Sequence, residues 1–292
     1  MTAWPSDYRD AWTLRASVER RGVGLHSGAD CRVRLEPYEQ PGLHLAWHDG
    51  TAGESPQRLG PHQVADTRLC TALRVGQRRL ATVEHLLAAL AGTGLTHGLL
   101  RVEGEEIPLL DGSALPWVEA IAEAGLQRLE QPAPAPRVLE PITRHAGASF
   151  AVALPAPTLQ LGAAIDFPQP AIGRQLYSLV LTPQRFVDDI APARTFGFRE
   201  QVEQLRAAGL IRGGALDNAL VCDGDHWINP PLRYLDEPVR HKLLDLLGDL
   251  ALVGLPQAHV FAYRGSHGVH TALAAAIADH NPTTSLDPAP CL

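Results

Sequence analysis

Apolar and polar positions alternate with a period of two in several short runs of the first half. Leu14–Glu19 and Cys31–Leu35 follow the alternation of half-buried strands, and Leu99–Val102 reads as a further strand. Elsewhere the period lengthens. Thr82 opens a helical run over Val83–Ala91, closed by Gly92 where helices commonly stop. Ser113-Ala-Leu-Pro-Trp117 leads into a second helix that reaches Ala124 and ends at Gly125.

The second half repeats the scheme. Ser149–Leu154, Leu159–Phe167, Leu176–Leu181, Ala219–Cys222 and His259–Tyr263 read as strands. Glu200–Ala208 is a short amphipathic helix ending at Gly209. Asp236 and Pro238 suit the start of a helix running to Val253, stopped by Gly254 and Pro256, and Gly268–Ala278 is a last helix. The clearest break is Gln131-Pro-Ala-Pro-Ala-Pro136, a stiff extended spacer. We therefore expect an α+β protein of two similar layered domains, 1–130 and 137–292, joined by a 131–136 linker.

Composition narrows the class. The 292 residues carry a formal charge of −7, which argues against a dedicated nucleic-acid binder. Basic pairs such as Arg20-Arg21 and Arg78-Arg79 read as solvated surface. Cys31, Cys70, Cys222 and Cys291 show no CxxC spacing and read as reduced thiols, so any metal should be held by imidazole and carboxylate. The opening residues lack a secretory pattern and no window is an apolar membrane span. A cytoplasmic protein with no integral membrane segment is expected.

Four segments could carry chemistry. In Arg240-His241-Lys242-Leu-Leu-Asp245, a helix places His241 and Asp245 one turn apart on one face, with Asp249 continuing it. That spacing suits two ligands of one ion, and equally a hydrogen-bonded pair in a core helix. Glu84-His85 opens the first long helix; neighbours there diverge by about 100°, so one could ligate while the other acts as a base. The same pair also reads as a helix start with a favourable first-turn acid. His267, in Gly265-Ser-His-Gly268, reads as an exposed turn residue free to reach a substrate, or as an ordinary loop histidine. Thr195, in Arg194-Thr-Phe-Gly-Phe198, offers a hydroxyl to an oxyanion, or simply ends a buried strand.

Read together and in order, these segments resemble a known family. Gly22-Val-Gly-Leu-His26-Ser-Gly28, Asp66-Thr-Arg-Leu-Cys70-Thr71, Thr82-Val-Glu84-His85 and Ile107-Pro-Leu-Leu-Asp111-Gly-Ser113 come first. Ile165-Asp-Phe167, Ala193-Arg-Thr195-Phe-Gly-Phe198, Gly213-Gly-Ala-Leu-Asp217-Asn218, Leu232-Arg-Tyr234, Val239-Arg-His241-Lys-Leu-Leu-Asp245 and the His267 turn follow. The chain resembles the UDP-3-O-acyl-N-acetylglucosamine deacetylases, zinc enzymes of the committed step of lipid A synthesis, over about residues 14–275.

The resemblance implies two α+β domains whose helices pack against each other, with the site between them. It implies that His85, His241 and Asp245 bind Zn²⁺ with an open fourth position; the same ligands would accept Fe²⁺. It gives Glu84 as general base and His267 as the acid that protonates the departing amine, oriented by Asp249. Lys242 faces the developing charge and Thr195 bonds the oxyanion, with Phe167 and Phe196 as weaker substrate contacts. The segment at about 197–220 corresponds to an inserted unit forming an apolar passage for the acyl chain. The partner is then a UDP-sugar lipid, with no nucleic acid, and a monomer is expected.

Three positions depart from the family pattern: Thr96-His97 stands where Asp-Asn is common, Ser266 replaces a glycine, and Ala153-Leu-Pro-Ala-Pro157 lacks a basic residue some members carry. They bear on recognition of nucleotide, sugar and acyl chain. Two other readings remain open on sequence: a related zinc deacetylase of another N-acetylated sugar, and a non-catalytic protein with structural zinc.

Overall fold

The two halves build the same five-stranded sheet. In the computed structural model, which describes residues 4–48 and 55–281, the first sheet runs in the order Val18–Val23, Asp30–Glu36, His97–Glu103, Gly42–Trp47, Gln57–Arg58. The second runs Ile142–Ala146, Ser149–Pro155, Ala258–Tyr263, Gln160–Asp166, Arg174–Val180. In each, the last strand of the unit enters the centre, antiparallel to the second strand and parallel to the third. Such a parallel pair needs a crossover, and a helix supplies it.

The helices occupy matching places. Helix α1 (Glu84–Gly92) precedes the central strand of the first sheet and α2 (Leu115–Ala124) follows it. In the second unit come a single turn, α3 (Pro183–Arg185), then α4 (Arg199–Ala207) and α5 (Glu237–Leu250) before the central strand, and α6 (His267–His280) after it. Each unit also carries a three-stranded insert just before its crossover helix. These are Val64–Asp66, Ala72–Val75 and Arg78–Leu80 in the first, and Phe196–Phe198, Leu220–Asp223 and His226–Trp227 in the second.

Packing joins the units through α1 and α5. One apolar core includes Leu86, Leu87 and Leu90 of α1, Leu243, Leu246, Leu247 and Leu250 of α5, and Leu273 and Ile277 of α6. Each fully buried leucine contributes about 1.5–3 kcal/mol relative to exposure. Every residue of α1 is buried, which explains why its sequence shows no polar face.

Several elements differ from the sequence expectation. The strand expected over Leu14–Glu19 divides in two. Asp10–Leu14 pairs with Leu126–Pro132 in a separate two-stranded sheet, while Val18–Val23 edges the first large one. The chain changes sheets at Arg15, whose N–H bonds the Gly125 carbonyl. Gln131 and Pro132 therefore end a strand instead of opening the extended spacer, proline being tolerated at such a margin. Gly42–Trp47 is a strand that alternation does not announce, because Leu43–Trp47 is buried on both faces. Helix α5 stops at Leu250 and continues only as turns to Val253.

Cys31, Cys70 and Cys222 are buried free thiols. Cys291 and the tail beyond Asn281 lie outside the described residues. Among the described residues, no helix is long and apolar enough to cross a membrane.

Candidate metal centre and acid–base pair

The turn that enters α1 is set by a buried carboxylate. Glu106 accepts hydrogen bonds from the His26 and Ser27 amides, both at 2.8 Å, and from the Thr82 hydroxyl at 2.9 Å. Burial opposes its ionisation, but these donors hold it below the usual carboxylate range. Thr82 takes a left-handed backbone, φ 58°, which costs a non-glycine residue about 1–2 kcal/mol, and its bond to Glu106 helps hold it there. The chain then starts α1 with Glu84 and His85 both buried.

Three side chains converge where α1 crosses α5. The four-residue spacing on α5 brings His241 Nε2 to 3.4 Å from Asp245 Oδ1, and His85 Nε2 reaches the same oxygen at 3.7 Å across the helices. The two imidazole rings meet edge to face, 88° apart in plane. His241 Nδ1 lies 3.1 Å from the Ala193 carbonyl, which fixes the ring and turns Nε2 inward. Asp245 Oδ2 accepts from Lys242 Nζ at 2.8 Å, yet its buried Oδ1 has no hydrogen-bond partner.

An orphaned carboxylate oxygen facing two imidazole nitrogens fits a cation. Tetrahedral ligation at 2.0–2.1 Å requires donor atoms about 3.3–3.4 Å apart, close to the 3.4 and 3.7 Å that separate the two imidazoles from Asp245 Oδ1. The donor set of two imidazoles and one carboxylate is that of zinc or ferrous iron. All three groups are buried, and their candidate ligand atoms lie within 4.8 Å of one another. Burial opposes charge on each. It lowers the His85 imidazole to about 3 and lowers His241, so both are neutral at pH 7, the form in which imidazole can ligate a cation. Asp245 stays well below its ordinary value despite burial, because Lys242 and His241 face it.

A second group borders the first. Glu84 Oε1 lies 3.9 Å from His267 Nε2, and His267 Nδ1 is 3.0 Å from Asp249 Oδ2. Burial pushes Glu84 up to about 7, with His267 pulling the other way. Burial disfavours charge on His267, yet Asp249, then Glu84 and Asp245, raise it to about 9. A carboxyl and an imidazole thus stand side by side, the imidazole held charged at neutral pH.

His267 corrects the sequence expectation. It is the first residue of α6, only 12% exposed in its side chain, and not an open turn residue. Ser266, which replaces a glycine of the family pattern, accepts from the Val269 amide and caps that helix. Two partners went unread in the sequence. The Thr71 hydroxyl donates to Asp249 Oδ1 at 2.5 Å, and His270 Nδ1 lies 3.1 Å from Asp249 Oδ2. His270 is one helical turn from His267, a signal available only once α6 is started at the right residue.

Two cavities flank these groups. One, of about 460 Å³, is lined by Lys242, His267, Arg68, Arg264, Asp166 and Phe167. Burial opposes charge on Lys242, but Asp245 keeps its ammonium above the ordinary value. The other, of about 750 Å³, is lined by Thr195, Phe196, Val202, Leu205, Ile211 and Leu220, among others, from the second insert. Leu69 faces both. Thr195 thus lies on the side of this second cavity, its amide bonded to Gly112 and its carbonyl to the Leu220 amide. Phe196 bridges the two sides, 6.3 Å from the His241 ring and 5.7 Å from the Phe167 ring.

A buried His/His/Asp trio beside a charged imidazole and a carboxylate, at the crossing of two α+β units, defines a metallohydrolase-type site. The chain belongs to the LpxC family, described as UDP-3-O-acyl N-acetylglycosamine deacetylase, whose model matches residues 11–279. It is similar to the UDP-3-O-acyl-N-acetylglucosamine deacetylase of Thermosynechococcus vestitus, 50% identical over 270 residues, covering 91% of this chain and 93% of that one. The protein of the same name from Trichormus variabilis is 47% identical over 272 residues, 90% and 96% of the two chains. The probable UDP-3-O-acyl-N-acetylglucosamine deacetylase 1, mitochondrial, of Arabidopsis thaliana is 41% identical over 287 residues, 90% and 86%.

Proposed function

We propose that this deacetylase hydrolyses the N-acetyl group of UDP-3-O-acyl-N-acetylglucosamine, releasing acetate and the free amine as a step of lipid A synthesis. The observation that carries the reading is the partnerless Asp245 Oδ1 between His85 and His241, with Glu84 and His267 alongside. His85, His241 and Asp245 would hold Zn²⁺, and Fe²⁺ suits the same donors. When bound, the ion supplies Lewis-acid polarisation of the acetyl carbonyl and acidifies water.

The chain's own groups do the rest. Glu84 takes a proton from the attacking water as its oxygen bonds the acetyl carbon. Lys242 and Thr195 bind the oxyanion, an interaction worth on the order of 10²–10³ in rate per donor. The C–N bond then breaks, with its electron pair leaving on nitrogen, and His267 delivers the proton that makes the amine. Asp249 keeps His267 oriented and charged. Base and acid contribute about 10²–10⁴-fold.

Binding follows from the two cavities. Arg264 and Arg68 offer charge to the pyrophosphate, and Phe167 and Phe196 contact the sugar. The cavity of the 197–220 segment takes the acyl chain. The two halves, 1–130 and 137–292, act as the domains that bracket the site, in a monomer located in the cytoplasm.

Acetate release from UDP-3-O-acyl-N-acetylglucosamine of defined acyl lengths, by zinc-loaded protein, tests the reading. Turnover that needs the acyl chain is expected. Equal turnover of the non-acylated UDP-sugar would overturn the acyl assignment, and no turnover of either would overturn the substrate.

A further inference from the structure

Thr71 spends its amide on the proposed base, its hydroxyl on the carboxylate that holds the proposed acid, and its carbonyl on the residue just before the base. It is fully buried at the margin of the first insert, just before the Ala72–Val75 strand. Its amide donates to Glu84 Oε2 at 3.0 Å. Its carbonyl accepts from the Val83 amide at 3.2 Å, the residue that caps α1. Its hydroxyl donates to Asp249 Oδ1 at 2.5 Å. One residue therefore touches the carboxylate on α1 and the carboxylate on α5 that holds His267.

We propose that Thr71 is a positioning residue that locks the proton acceptor and the proton donor to each other, a role that rests on the deacetylase reading above. With Oδ1 committed to Thr71, Asp249 turns Oδ2 alone toward α6, where His267 Nδ1 and His270 Nδ1 share it at 3.0 and 3.1 Å. That fixes the His267 ring with Nε2 toward Glu84. His270 is the second strut. Its ring is buried, and a Cβ at Gly265 would lie 2.3 Å from its Nε2, so the turn before α6 closes against it. The titratable groups facing His267 are Glu84 and His85 from α1, His241, Asp245 and Asp249 from α5, and His270 from its own helix. Thr71 restrains two of them.

The test compares Thr71→Val, which keeps shape and amide but removes the hydroxyl, with Thr71→Ser, which restores it. Zinc content, kcat and KM for deacetylation, and the NMR titration of the His267 ring are measured for both and for the unaltered enzyme. Thr71→Val should keep its zinc and its KM, lose about 10–100-fold in kcat, and titrate His267 at lower pH. Thr71→Ser should recover most of the kcat and the His267 titration. If Thr71→Val is insoluble, Thr71→Ala is compared with Thr71→Ser in its place. An unchanged kcat and His267 titration in the variant lacking the hydroxyl overturns the proposal, as does a serine variant impaired to the same degree. If the unaltered enzyme turns nothing over, the deacetylase reading fails, and the His267 titration alone decides whether Thr71 sets the acid.

Discussion

Gly248 of α5 passes so close to Glu84 of α1 that a Cβ built on it would lie 2.1 Å from the Glu84 carbonyl oxygen and 3.0 Å from its Cα. The obstacle is backbone and cannot rotate away. The helices cross at Glu84, the proposed base, so their separation and its position are one variable.

Gly248→Ala should therefore act on stability and rate together. Overpacking of this kind costs about 1–3 kcal/mol. A displacement of 1 Å at the reacting groups can cost ~10²-fold in rate. Thermal melting and kcat of the zinc-loaded variant check this; a variant as stable and as active as the parent would show that the crossing has slack.

Removal of the metal should abolish turnover and lower the melting temperature. Without an ion, Asp245 Oδ1 stays buried and unpaired, and such a group costs about 1–3 kcal/mol or more. His85→Ala should bind zinc more weakly and lose activity even in added zinc. Chelation followed by zinc addition, with metal content measured at each stage, checks the prediction. Full activity in protein stripped of metal would refute it.

The pH profile should fall on its alkaline side. The folded-state value of His267 is raised, to about 9, above the ordinary 6.5. The proton it donates is therefore present below about 9 and is lost above it, so kcat should decline roughly tenfold per pH unit beyond that point. By the same sign, the stability the charged ring contributes is fully present below about 6.5 and is lost as pH rises through about 9. His267→Gln should be slow and lack the alkaline decline; retention of that decline would assign it to another group.

Glu237 should be needed for folding and not for chemistry. It is fully buried at the start of α5 and accepts from the Arg194 amide at 3.0 Å, the Arg194 guanidinium at 2.9 Å and the Arg233 amide. This ties the residue before Thr195 to the helix of His241. Removing one partner of a buried pair costs about 3–5 kcal/mol. Glu237→Ala should melt much earlier, and an unaltered melting temperature would contradict the assignment.

The residues near one another in sequence were legible, and those joined across the fold were not. His241 and Asp245 show themselves because helical periodicity puts them on one face, and Glu84-His85 because Thr82 marks the start and Gly92 the end of a readable helix. Thr71 meets Asp249 across 178 positions, so no local pattern announces the contact. His267 looked like a turn because its neighbours are Gly265, Ser266 and Gly268; the Ser266 cap that makes it helical depends on a bond to Val269. The Gly42–Trp47 strand went unread because burial on both faces erases alternation.

Helices α1 and α5 hold equivalent stations in two units of one topology, yet what they carry is unequal. In the proposed roles, the first contributes the base Glu84 and one imidazole; the second contributes the other imidazole, Asp245 and Asp249, the carboxylate that would steady the acid. Neither half owns a working set. The proposed chemistry exists only along the seam between them, and parting that seam would separate the His85–His241–Asp245 trio and the Glu84–His267–Asp249 group in a single event.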